Sequence, residues 1–188
     1  MGVMGAKRTY RPVQAFCLAL ALACLVPASA GAQGPALDAP NVVVISDTLV
    51  TSGQPTATAL AGLKGLGIEA VVSLGPRGGL ALVPDEPAIV ASQGIEYIAI
   101  PFPPDGPSEA QYDAVADALR SVQGRRTLLH CQVNWQASTF LFLYRVVEGK
   151  EDPELAYQAL ATVWSPSGPW KQLLVTQLRK RGIAFDPY

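Results

Sequence analysis

One stretch of the chain carries most of its chemistry: Leu128-Leu-His-Cys-Gln-Val-Asn-Trp-Gln-Ala-Ser138. It reads as a short strand, a tight loop and the start of an apolar helix. That pattern sets Cys131 at a strand end, beneath the first turn of the helix. The free N–H groups and dipole of such a turn favour a thiolate over a thiol. The same N–H groups can surround the oxygens of a tetrahedral anion. The spacing therefore suits a thiolate attacking phosphorus while the loop binds the remaining oxygens. His130 is expected to order the loop from a buried strand end. Ser138 is placed either to bond the thiolate or to satisfy helix backbone. Trp135 either faces a ligand or packs as a lid.

These residues need a scaffold, and the pattern of the remaining chain supplies one. Asn41–Ser46 and Thr48–Thr51 read as two short strands around a turn at Asp47. Thr56 can cap a helix carrying Leu60, Leu63 and Leu66, ended by Gly65 and Gly67. Glu69–Leu74 is the next strand, followed by a Gly-rich loop from Gly75 to Gly79. A short helix over Asp85–Gln93 stops at Gly94, and the strand Glu96–Ile100 runs into a Pro-rich loop, Pro101–Pro107. Ser108 and Gln111 have capping-box spacing at the head of a helix to Val122. After the strand Arg126–His130 come three helices, over Ala137–Gly149, from the Asp152-Pro153 cap, and over Trp170–Arg181. Strands alternating with helices predict an α/β domain whose central, mostly parallel sheet is flanked by helices on both sides. The first hairpin adds an antiparallel edge. Loops 75–79, 101–107 and 131–138 should then share the carboxyl edge of the sheet, where such folds bind ligands.

The 188 residues are 49% hydrophobic and 15% charged with net charge −1, a globular composition without a basic field for nucleic acid. Three cysteines and one histidine are too few for a disulfide scaffold or a multi-histidine zinc site, so no metal and no cofactor is expected. Lys7, Arg8 and Arg11, the apolar run Ala15–Val26, and small residues to Ala32 have the order of a secretory signal. The division expected is 1–32 signal peptide, 33–40 linker and 41–188 domain, in a periplasmic or secreted protein without stable membrane insertion once the signal is removed. Removing residues 1–32 leaves 11 basic against 15 acidic residues, a net charge of about −4, and Cys131 as the remaining cysteine. A single thiol in an oxidising compartment is a reactive site, a pairing site or an inert buried group.

Together, Thr51-Ser-Gly-Gln-Pro-Thr56, Val71-Val-Ser-Leu-Gly-Pro-Arg77 and His130-Cys-Gln-Val-Asn-Trp-Gln-Ala-Ser138 resemble the tyrosine-phosphatase-like domains of the beta-lactamase-hydrolase-associated phosphatase family. The resemblance spans about Val42 to Leu178. It implies a cysteine-phosphatase fold, a phosphocysteine intermediate, Cys131 as nucleophile and the backbone of Gln132, Val133, Asn134, Trp135, Gln136 and Ala137 as phosphate cradle. It also implies a phosphorylated small molecule or phosphoprotein as partner. The family loop reads Cys-x-x-Gly-x-x-Arg or Cys-x-x-x-x-Arg. Here Asn134 stands at the glycine, and the fifth and sixth positions after Cys131 are Gln136 and Ala137, neither an arginine. A planar guanidinium binds two phosphate oxygens and neutralises charge, which an amide does not. Arg77 is placed to supply that charge from the neighbouring loop, or is a solvated turn residue. Gln136 is placed to bind a less charged group through its amide. A general acid is needed for the leaving oxygen. Asp105 in the Pro-rich loop is the candidate, against a plain turn aspartate, with Asp85 the weaker alternative. Three functions fit this set: a cysteine phosphatase of weak or altered activity, a pseudophosphatase that holds an anionic ligand, or a single-thiol sulfur or redox protein.

Overall fold

Five apolar tetrapeptides pair into one sheet in the computed structural model, which describes residues 1–2, 36–75, 83–101 and 106–187. Backbone proximity divides the chain into Met1–Ala32 and Gln33–Tyr188, and the elements below belong to the second unit. The strands are β1 (Val43–Ser46), β2 (Leu49–Ser52), β3 (Ala70–Ser73), β4 (Glu96–Ala99) and β5 (Thr127–His130), in spatial order β1-β2-β5-β3-β4. β1 runs antiparallel to β2; β2, β5, β3 and β4 pair in parallel. The expected α/β architecture and antiparallel edge are present. β5 is central, with His130 level with Ser52 on one side and Ser73 on the other. Gly75, Pro101 and Cys131 therefore leave the sheet at its carboxyl edge.

Parallel strands buried on both faces read as continuous apolar runs, and β3 and β5 are buried at every position. Alternation still sorts their side chains. Leu128 and Val71 face a smaller core with Val50, Leu60, Leu63 and Val90. Leu129, Val72 and Cys131 face a larger one with Tyr112, Phe140, Phe142, Leu174 and Leu178. The smaller core lies under α1 (Ala57–Ala61) and α2 (Glu86–Ala91), the larger under α3 (Glu109–Ser121), α4 (Trp135–Val147), α5 (Pro153–Ala161) and α6 (Gly168–Lys180).

The caps follow the sequence. Thr56 accepts the Ala59 N–H at 3.1 Å, Ser108 and Gln111 form a reciprocal capping box, and Asp152 accepts the Leu155 N–H at 3.1 Å. Several helix boundaries differ from expectation. The first helix ends at Gly62 and continues as a 3₁₀ turn, Leu63–Leu66, because Gly62 adopts a non-helical backbone before Gly67 closes the turn at φ +73°. The helix after Cys131 begins at Trp135 rather than Ala137, so Trp135 and Gln136 form its first turn. No helix among the described residues is long and apolar enough to cross a membrane.

Candidate active site

The loop after β5 is bent by the bonds its carbonyls make. Gln132 O accepts the Gln54 N–H at 3.0 Å, and Val133 O accepts Asn41 Nδ2 at 3.0 Å. Asn134 O accepts both the Ser138 N–H at 3.0 Å and the Ser138 hydroxyl at 2.6 Å. With the carbonyls committed elsewhere, the N–H groups turn inward. Those of Ala137, Val133, Gln136 and Asn134 gather about the Cys131 sulfur and favour its thiolate form. They are four of the six backbone groups, from 132 to 137, that the family resemblance implies for a phosphate cradle.

The consequence for the thiol is not the one expected. Cys131 is 3% exposed, and burial pushes its pKa up. The four N–H groups pull the other way without winning. Helix-start geometry lowers a thiol only where solvent or a cation also reaches it. Neither Gln136 nor Ala137 provides a cation. Ala137 is fully buried, and Gln136 is half-buried with its Oε1 shielded from solvent and without a hydrogen-bond partner among the described residues.

Asn134 takes the glycine position at φ +69°, the left-handed region that asparagine tolerates better than most residues. Its side chain is fully buried: Oδ1 accepts from the Thr51 hydroxyl, and Nδ2 donates to Asn41 O at 2.6 Å. It thus joins the loop to β2 and to the segment that precedes β1. Gly53 is required where the chain leaves β2. A Cβ there would stand 2.9 Å from both Gln132 O and Pro40 Cβ. The Ser-Gly-Gln-Pro-Thr motif is thereby explained: Gly53 admits the loop, Gln54 bonds it and Thr56 caps the next helix.

His130 is fully buried and points to the face opposite Cys131. Its Nε2 stands 2.7 Å from Glu86 Oε1, although the ring N–H is not well aligned with that oxygen. The Ser138 hydroxyl donates to helix backbone, to Asn134 O at 2.6 Å and Trp135 O at 3.3 Å. Trp135 is 49% exposed and stacks on Trp164, with ring centroids 5.0 Å apart and planes 9° from parallel. Trp164 is held by Trp170 edge-on at 6.0 Å and by a 3.2 Å bond from its Nε1 to Thr139. Asp85, the weaker acid candidate, is the left-handed residue that opens α2. Arg77 and Asp105 lie outside the described residues. Gln54, Glu86, Asn41 and Thr51 support the site and were given no individual role from sequence. The fixed spacing of the Ser-Gly-Gln-Pro-Thr motif was the available signal for Gln54 alone.

No protein-family model matches the sequence, and no curated protein matches it. Solved structures do. A candidate phosphatase (DUF442) from Shewanella putrefaciens CN-32 superposes with a TM-score of 0.66 at 26% identity, over 77% of this chain and 92% of that one. The chain has the fold of the tyrosine-phosphatase-like cysteine phosphatases. TpbA from P. aeruginosa shares this fold at TM-score 0.54 and 22% identity, over 75% of this chain and 84% of its own. PTPMT1, solved with PI(5)P, shares it at TM-score 0.64 and 14% identity, over 75% of this chain and 96% of its own. In this phosphatase-like fold Cys131 sits between the central strand β5 and helix α4.

Proposed function

We propose that the protein is an exported tyrosine-phosphatase-like hydrolase that cleaves phosphate monoesters slowly through a phosphocysteine intermediate. The observation that carries this reading is the convergence of four backbone N–H groups on the Cys131 sulfur. Backbone donors gathered at such a thiol also suit the oxygens of a transferring phosphoryl group, on which negative charge develops in the transition state. In the proposed reaction the Cys131 thiolate forms a bond to phosphorus as the ester P–O bond breaks. Asp105 gives its proton to the leaving oxygen. Water, giving a proton to the Asp105 carboxylate, then attacks phosphorus and breaks the S–P bond, releasing phosphate and restoring the thiolate and the acid. Gln136 contributes an amide where a guanidinium is usual, and Arg77 supplies the cation from its loop. Removing one oxyanion donor typically costs about 10²–10³ in rate, and the loop from Gln132 to Ser138 carries no charged one of its own, so turnover is slow. The chemistry uses no metal or cofactor.

The partner class is a phosphorylated small molecule or a phosphoprotein. Two structural neighbours support that breadth: TpbA was solved with phosphotyrosine and PTPMT1 with PI(5)P. Export to the periplasm or the medium rests on the basic start and the apolar run Ala15–Val26. A second reading, a pseudophosphatase that binds the anion without turnover, is favoured by the buried thiol held above its ordinary pKa.

One experiment separates them. Phosphate release from an aryl phosphate by the reduced protein is compared with that by Cys131→Ser, alongside vanadate binding. Release lost in the variant supports hydrolysis. Vanadate binding without release supports the second reading. Neither release nor binding removes both.

A further inference from the structure

The α1/α2 face of the sheet carries a buried polar cluster that the proposed chemistry does not use. Glu86, 5% exposed, opens α2 directly beneath the carboxyl end of the sheet. Its Oε1 meets His130 Nε2 at 2.7 Å, and its Oε2 accepts Gln54 Nε2 at 2.9 Å. Tyr97 on β4 lies beside Glu86 and Ser73 and helps to lower the Glu86 pKa. The surrounding layer is apolar, built from Val50, Leu60, Val71 and Val90. Burial alone would push the Glu86 carboxyl up. His130, Gln54 and Tyr97 together outweigh it and hold the group below its ordinary pKa, so it is ionised at neutral pH. An ionised carboxylate in an apolar layer is costly unless every partner is held in place, and removing a partner leaves an uncompensated charge.

Two of these partners, His130 and Gln54, lead to the active loop. His130 is the residue before Cys131. Gln54 uses both ends: its side chain binds Glu86 while its backbone N–H holds Gln132 O at 3.0 Å. Glu86 therefore grips the stem of the loop from both flanks, through β5 and through the exit of β2. We propose that Glu86 is a positioning residue that, through His130 and Gln54, holds Cys131 closed beneath its ring of N–H groups and so sets the reactivity of the thiol. This deepens the proposed function in that Cys131 is its reacting atom, but the thiol can be read without any phosphate. The titratable groups facing Glu86 among the described residues are His130 from β5 and Tyr97 from β4, with Asp85 next in the chain; the described groups gathered about Cys131 are backbone N–H groups.

The test is the pH dependence of iodoacetamide alkylation at Cys131, quantified on its own peptide by mass spectrometry in the full chain. It is run for the parent protein, Glu86→Gln and Gln54→Ala. In the closed site burial outweighs the N–H groups. Loosening the stem lets solvent reach the sulfur, so in Glu86→Gln the midpoint falls toward an ordinary thiol by about half a pH unit or more. The plateau rate rises at least about threefold. Gln54→Ala moves both the same way by less, and it decides alone if Glu86→Gln does not fold. A loss of melting temperature with unchanged or raised midpoint overturns the proposal, because a purely structural role lowers stability without retuning the thiol. The function and the proposal fail separately: a shifted midpoint in a protein that neither binds vanadate nor releases phosphate removes the first and keeps the second.

Discussion

Gly53 and Gln132 meet backbone to backbone: a Cβ on Gly53 would lie 2.9 Å from the Gln132 carbonyl oxygen. Gly53 N–H in turn donates to Pro40 O at 2.7 Å, and Gln54 N–H to Gln132 O at 3.0 Å. The active loop is thus pressed against the exit of β2, which turns its carbonyls outward and leaves its N–H groups for the sulfur. Gly53→Ala forces these backbones apart, since neither obstacle is the flexible end of a side chain. The expected cost is about 1–3 kcal/mol, the range of overpacked sites, measured by denaturant unfolding. Because the displaced group is the loop itself, vanadate affinity falls too. A variant with parental stability and parental affinity would show that the approach is looser than described.

Asn134 carries two separable burdens, its φ of +69° and its buried bonds to Thr51 and Asn41. Asn134→Gly relieves the first and loses the second. Asn134→Ala suffers both, with a Cβ in the left-handed region and the Thr51 hydroxyl and Asn41 carbonyl left without their partner. Each buried polar group left unsatisfied costs about 1–3 kcal/mol, and left-handed strain adds about 1 kcal/mol for a non-glycine residue. Unfolding measurements should therefore rank parent above Asn134→Gly above Asn134→Ala. An alanine variant as stable as the glycine one would show that the backbone conformation is not the constraint.

The buried carboxylate gives an acid limit. Glu86 is held below its ordinary pKa in the folded chain, so its unfolded form binds a proton first as pH falls. Its contribution to stability is complete above the unfolded carboxylate value. It is lost as pH falls through the lower, folded one. Cys131 has the opposite sign. Its folded pKa is raised, so its contribution is complete below the ordinary thiol value and fades as pH rises through the folded one. Chemical denaturation across pH should show an acid slope that flattens in Glu86→Gln and an alkaline slope that flattens in Cys131→Ser. Parallel curves for parent and Glu86→Gln below the ordinary carboxylate range would contradict the first assignment.

Element order, the antiparallel edge and the caps at Thr56, Ser108 and Asp152 were legible in the sequence because each rests on local rules. These are alternation within a strand, side-chain capping, and apolar runs where a parallel strand is buried on both faces. The place of Cys131 between a strand end and a helix start was legible because both elements follow local pattern. Burial of Cys131 was not. It depends on residues far along the chain packing over the sulfur, and it reversed the expected direction of the thiol's pKa. Glu86 was hidden for the same reason. A single acidic residue at a helix start reads as a dipole partner, and only the register of β5 with β3 and β2 brings His130 above it. Trp135 read equally as ligand-facing or as packing. Its stack on Trp164 comes from the turn between α5 and α6, which no local pattern places near the loop.

Gln136 decides how far the site is from efficient chemistry. It occupies the first turn of α4, its own N–H is one of those gathered about the Cys131 sulfur, and its Oε1 is shielded without a partner among the described residues. Gln136→Arg keeps the backbone donor and replaces the amide with a forked cation that binds two oxygens at once. A guanidinium beside the sulfur also favours the thiolate, countering the burial that now holds the thiol protonated. Both effects act on the same step, so phosphate release from an aryl phosphate should rise by at least about 10²-fold, the lower range for one restored oxyanion donor. The alkylation midpoint of Cys131 should fall with it. A lower midpoint without faster release would place the remaining deficit at the general acid. Asp105→Asn in the Gln136→Arg background would then leave the rate unchanged, whereas a working acid would show a further loss confined to substrates with poor leaving groups.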